Sequence, residues 1–84
     1  MKWHVIWIAD AERDLQRLLE SRDPDEVVNA AEAMERLLEQ DPFDIGESRD
    51  EGERILIHSG YAALYRVESD DQLVFINAFW RWAK

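Results

Sequence analysis

The spacing of hydrophobic positions changes period along the chain, and each change marks a different element. Lys2-Trp-His-Val-Ile-Trp-Ile8 is rich in β-branched and aromatic residues, with apolar side chains on both faces. That composition predicts a strand well covered by neighbours rather than an exposed edge. The spacing then becomes helical. Ala11, Leu15, Leu18 and Leu19 form one stripe, and Asp10 is placed to cap a helix running to about Ser21. Arg22-Asp-Pro-Asp-Glu26 stops that helix and starts another. Asp23 is positioned as cap, Pro24 takes the first helical position, where its missing N–H costs nothing, and Glu26 can reach back. Val27, Ala30, Ala31, Met34, Leu37 and Leu38 make the second stripe, which ends at Asp41-Pro42. Asp14/Arg17 and Glu32/Arg36 have the spacing of helical ion pairs. The short link predicts an antiparallel helical hairpin.

The last third alternates with period two, which predicts three strands: Arg54–His58, Tyr61–Glu68 and Leu73–Trp80. Ser59-Gly60 and Ser69-Asp-Asp-Gln72 supply the turns of a meander. Alternation suggests that Ile55, Ile57, Ala63, Tyr65, Val67, Val74, Ile76 and Ala78 face the hairpin. The opposite face then carries Arg54, Leu56, His58, Ala62, Leu64, Arg66, Glu68, Leu73, Phe75, Asn77, Phe79 and Arg81. That second set mixes cations with apolar side chains, so it is the candidate functional face. Phe43 to Glu53 is the one long loop, with Phe43 and Ile45 expected to anchor it. The whole predicts an α+β fold in a single domain, residues 1–84.

Composition narrows the classes. The hydrophobic content of 46%, with four Trp, three Phe and two Tyr, is enough for a core. A chain of this length buries only about 60–65% of its unfolded surface, so a partner would add useful burial. There is no cysteine, hence no disulfide framework and no thiolate metal site. No stretch reads as a signal peptide or approaches the length of a membrane span, so the cytoplasm is the expected compartment and no membrane is expected among the partners. The net charge is −9, of which residues 1–41 hold −6. That balance disfavours nonspecific nucleic-acid binding. His4 and His58 are too few and unspaced for a metal site, and three dispersed glycines make no phosphate loop, so neither metal nor cofactor is expected.

Three stretches carry a resemblance. They are Val5-Ile-Trp-Ile-Ala-Asp-Ala-Glu-Arg-Asp-Leu15, the Asp41-Pro42 loop with Gly46-Glu-Ser-Arg49, and Arg54-Ile-Leu-Ile-His-Ser-Gly-Tyr-Ala-Ala-Leu-Tyr-Arg-Val67. With the order strand, helical hairpin, meander, the chain resembles the RelE/ParE superfamily of toxins from bacterial type II toxin–antitoxin pairs. The Ser-Gly-Tyr-x-x-x-Tyr-x-Val run is especially similar. The resemblance spans nearly the whole chain and specifies fold more closely than activity.

Members similar to RelE cut mRNA on the ribosome. The resemblance then implies cations on the open face of the meander: two on its first strand, one just after Gly-Tyr and one after the last strand. Arg54 and Arg81 match such positions, with His58 and Arg66 as further candidates for a nuclease site. Leu56 stands where a second cation is common, Ala62 stands where the arginine after Gly-Tyr is expected, and no tyrosine follows Arg81. Members similar to ParE poison DNA gyrase and need no acid–base pair. Both branches imply an antitoxin lying along the toxin, for which Leu56, Leu64, Phe75, Phe79, Trp80 and Arg49 are the candidate contacts. The reading that follows is a toxin acting by binding its target, DNA gyrase or another, and neutralised by an antitoxin. The alternatives are a ribosome-dependent mRNA endoribonuclease and an inert or designed domain of the same fold, with homodimerisation through the open face as a variant.

Overall fold

The computed structural model describes residues 2–82. In chain order it contains β1 (His4–Trp7), α1 (Ala9–Ser21), α2 (Pro24–Gln40), β2 (Glu47–Ser48), a 3₁₀ turn (Asp50–Gly52), β3 (Glu53–His58), β4 (Tyr61–Glu68) and β5 (Leu73–Arg81). The strands form one mixed sheet in the order β1-β5-β4-β3-β2, with β1 parallel to β5 and the other pairs antiparallel. The helical hairpin crosses one face. The expected α+β architecture is present, with β2 added by the loop. β1 differs from expectation: it lies at the sheet's edge, and Ile6 on its uncovered side is exposed.

Local chemistry explains the helix ends. Asp23 caps α2, its carboxylate accepting the Asp25 N–H at 3.0 Å, with Pro24 in the first turn. α1 starts earlier than its polar residues suggest. Ile8 is its N-cap, and Asp10 lies inside the first turn, paired with Arg13. Neither the Asp14/Arg17 nor the Glu32/Arg36 pair forms. Asp14 is used elsewhere, as described below.

The core lies between the hairpin and the sheet. Ala11, Val27, Ala30, Ala31, Met34 and Leu38 from the helices meet Leu56, Tyr61, Ala63, Tyr65, Val74, Ile76 and Phe79 from the strands. Two of those strand residues, Leu56 and Phe79, were expected on the opposite face. The reason for Leu56 is the turn. Ser59 and Gly60 both sit at positive φ (55° and 83°), a two-residue type I′ turn that pairs His58 with Tyr61 and Leu56 with Ala63. Leu56 therefore shares a face with Ala63, while Ile55 and Ile57 point away from the helices. The reason for Phe79 is a β-bulge. Leu64 pairs with Ala78 but Tyr65 pairs with Ile76, so Asn77 is an extra residue, and parity along β5 reverses after it. The freed N–H of Phe79 is accepted by the Asp14 carboxylate of α1 at 3.1 Å.

Candidate functional site

The face of the sheet turned away from the helices is built row by row from the strand register. Ile57, Ala62 and Trp80 form one row, and Ile55, Leu64 and Ala78 the next. Glu53, Arg66, Phe75 and Ile6 form a third, with Asn77 beside it. Two rows are entirely apolar, and the third joins a charged pair to an aromatic and an aliphatic side chain. Ala62 and Ile55 are buried by their neighbours, Ile57 and Ile6 are 44% and 40% exposed, and Leu64, Phe75 and Trp80 are half-buried. Trp82, just past β5, is 52% exposed and extends the apolar surface. A contiguous apolar surface bordered by an arginine is the composition of an interaction site rather than of a solvated face. Asn77 donates to Glu53 at 3.3 Å, which fixes the polar border.

The residues considered for nuclease chemistry are not brought together. Arg54 and Arg81 are on the helix side, one opposite Tyr65 and the other opposite Tyr61, four residues or roughly 13 Å apart along β4. His58 is also on that side and faces Ala33, Arg36, Leu37 and Gln40 of α2. Only Arg66 lies on the open face, exposed.

Both helix-side arginines are occupied. Arg54 donates to the Tyr65 hydroxyl at 3.2 Å, to Ser48 at 2.9 Å and to the Phe43, Ile45 and Gly46 carbonyls at 2.8–3.3 Å. It ties the loop after α2 to the sheet. Tyr65 completes the tie from inside, its hydroxyl 2.8 Å from both the Pro42 and Ile45 carbonyls. Burial raises the Tyr65 pKa above its ordinary value, and the Arg54 guanidinium only partly opposes this. The loop can come this close because residue 46 is glycine. It has φ +73°, and a Cβ there would lie 2.5 Å from the Ile55 carbonyl and 2.8 Å from the Tyr65 hydroxyl. Arg81 donates to the Gly60 carbonyl at 2.8 Å and lies over the Tyr61 ring, 5.0 Å from its centroid. Tyr61 stacks on Phe79 with centroids 5.5 Å apart, and its hydroxyl accepts from Arg22 at 3.0 Å.

The candidate contacts divide in the same way. Leu64, Phe75 and Trp80 are on the open face and Arg49 is exposed, but Leu56 (6% exposed) and Phe79 (1%) are buried in the core. The open face has instead Ile55, Ile57, Ala78 and Ile6, of which the first three were expected against the helices. The two-residue turn was the signal for the isoleucines: once His58 pairs with Tyr61, Ile57 must join Ala62 and Leu64. Ala78 depended on the bulge, which has no marker in the sequence.

A sheet with one face under a helical hairpin and the other left apolar is here a fold of the RelE/ParE type. No protein-family model and no curated protein matches the sequence, so the likeness is one of structure. One similar structure is a chain of the toxin–antitoxin complex RelBE2 from Mycobacterium tuberculosis, with a TM-score of 0.82 and 23% identity, covering 96% of this chain and 99% of that one. A second comes from the chromosomal ParDE toxin–antitoxin system of P. aeruginosa, with a TM-score of 0.70 and 18% identity, covering 98% and 97%. Among the described residues, no helix is long and apolar enough to cross a membrane.

Proposed function

We propose that this chain is the toxin of a type II toxin–antitoxin module, that it acts by binding a cellular target rather than by cutting RNA, and that an antitoxin neutralises it by covering the open sheet face. One observation carries this reading: the face holds Ile55, Ile57, Ala62, Leu64 and Trp80 where RNA cleavage would require convergent cations. Phosphodiester cleavage needs charge stabilisation at phosphorus and a proton donor for the leaving group. Arg54 donates to three carbonyls and two hydroxyls, and Arg81 donates to one carbonyl and lies over a ring, its Nε buried without a partner. An apolar face with a half-buried tryptophan suits an amphipathic segment whose anchors fill the rows between Ile57 and Phe75. The fold likeness to chains from two toxin–antitoxin complexes supports the antitoxin as that partner. DNA gyrase is a target compatible with binding alone.

The test is tightly induced expression in bacteria, with soluble protein quantified and mRNA integrity followed in the same cultures. Growth arrest with intact mRNA is expected, and Ile57→Asp should relieve the arrest. Arrest with cleaved mRNA would restore the endoribonuclease reading. Normal growth at high soluble protein would point to the inert domain.

A further inference from the structure

On the opposite side of the molecule, the two helices part over Trp7 to leave a groove of about 300 Å³, lined by Trp7, Leu15, Val28, Ala31, Glu12, Glu32 and Glu35. Its floor is apolar: Trp7 and Leu15 are half-buried, Ala31 is buried and Val28 is 39% exposed. Its rim is acidic from both helices. Glu35 is held in place by the Trp7 indole N–H, which donates to it at 2.7 Å. The ion pairs among the described residues are Lys2–Glu39, Arg13–Asp10 and Arg22–Glu26, so no cation neutralises Glu12, Glu32 or Glu35. Arg36 has the right spacing from Glu32 but turns instead toward the cleft beside His58. Glu32 and Glu35, three residues apart on one helix, repel each other as the chain stands. The groove is at the small end for a metabolite, and a single floor of ring and aliphatic carbon suits one or two side-chain anchors.

We infer that this groove is a second docking site, and that its occupant is a basic amphipathic segment of a partner protein. Its aliphatic anchors rest on Trp7 and Val28, and its lysines or arginines answer Glu12, Glu32 and Glu35. Charge complementarity selects that occupant. Apolar contact alone would fit many segments, but three unneutralised carboxylates around the contact reject acidic ones and favour cationic ones. The inference rests on the reading of the chain as one member of a protein pair, and it adds to the open face a site of different chemistry.

The four tryptophans make the test site-specific. Each indole N–H gives its own signal in a proton–nitrogen correlation spectrum of the full chain, and Trp7 alone of the four lines the groove, whereas Trp80 is on the open face and Trp82 is exposed just past β5. The probe is a synthetic amphipathic peptide of about fourteen residues, long enough to form a helix on binding, with leucine on one face and lysine elsewhere. The comparison peptide has glutamate for lysine. The lysine peptide should move the Trp7 signal saturably and leave Trp80 and Trp82 in place, and the glutamate peptide should move none. The exposed double variant Glu12→Lys/Glu32→Lys should weaken binding by at least about tenfold. The variant Asp50→Lys/Asp70→Lys, with the same change in net charge away from the groove, should change it less than about twofold. Movement of Trp80 and Trp82 without Trp7, or equal weakening by both double variants, would overturn the inference. Growth arrest plays no part in this readout. A harmless chain that binds the lysine peptide would sink the toxin reading and leave the groove standing.

Discussion

Phe79 and Trp80 are adjacent aromatic residues on one strand, and they serve opposite halves of the molecule. Phe79 is 1% exposed, edge-on to Trp7 at 5.3 Å and stacked on Tyr61. Trp80 is paired with Ala62 on the face that no described element covers. The same division runs through the whole sheet. On its helix side the arginines, tyrosines and Phe79 all contact named neighbours, and the one buried polar atom left without a partner among the described residues is Arg81 Nε. Its open side is left with apolar rows and a polar border of Glu53, Arg66 and Asn77. A side chain whose partners are all intramolecular holds the fold, and one with apolar surface to spare is available to another protein.

The largest effect expected comes from that adjacent pair. Phe79→Ala should cost about 3–5 kcal/mol, since it removes a buried ring with two aromatic contacts. Trp80→Ala should cost about 1 kcal/mol or less in the free protein. Urea denaturation of both variants measures the difference, and comparable losses would mean that the open face is also structural. The arginines provide the next contrast. Arg54→Ala removes a donor from the Phe43, Ile45 and Gly46 carbonyls and should cost about 2–4 kcal/mol, whereas Arg66→Ala should stay within about 0.5 kcal/mol. If Arg54→Ala left stability unchanged, the guanidinium would be free for other work and the case against nuclease chemistry would weaken.

Smaller effects test the seams. Asp14→Ala deprives the Phe79 N–H of its acceptor and should cost about 1–2 kcal/mol, with faster amide exchange at residue 79. Asp14→Asn should recover part of this, because an amide oxygen can still accept. The smallest effect is at high pH. Burial raises the folded-state pKa of Tyr65, so its neutral phenol is the form the fold favours. Its contribution is fully present below the unfolded value near 10.0 and is lost as pH rises through the higher folded value, where the folded state holds more protons than the unfolded one. Stability should therefore fall above about pH 10. Tyr65→Phe should remove that slope, and an unchanged slope would assign it to another group.

The resemblance visible in the sequence can now be understood physically. In Ser-Gly-Tyr-x-x-x-Tyr-x-Val, the turn residues set the β3–β4 register. Gly60 leaves room for the Arg81 guanidinium, which a Cβ there would strike, Tyr61 carries the Phe79 and Arg81 contacts, and Tyr65 ties down the loop. Gly46 admits that loop. These residues are constrained by close packing of the fold, so they announce the fold and say little about activity.

The sequence by itself determined the two helices, the Asp23 cap, the hairpin and the three-stranded meander, because each follows from local period and local hydrogen bonding within a few residues; the Ile8 cap of α1 and the short strand β2 it did not show. It also contained the β3–β4 register, through the length of one turn. Only the tertiary structure decided that β1 is an edge strand, which way β5 faces beyond Asn77 and what the arginines do. The bulge is stabilised by an acceptor 65 positions away in sequence, since Asp14 takes the Phe79 N–H. Arg54 reads in the sequence as a free cation, and it became a clasp only when folding brought three carbonyls of the preceding loop, 8–11 residues back, within its reach.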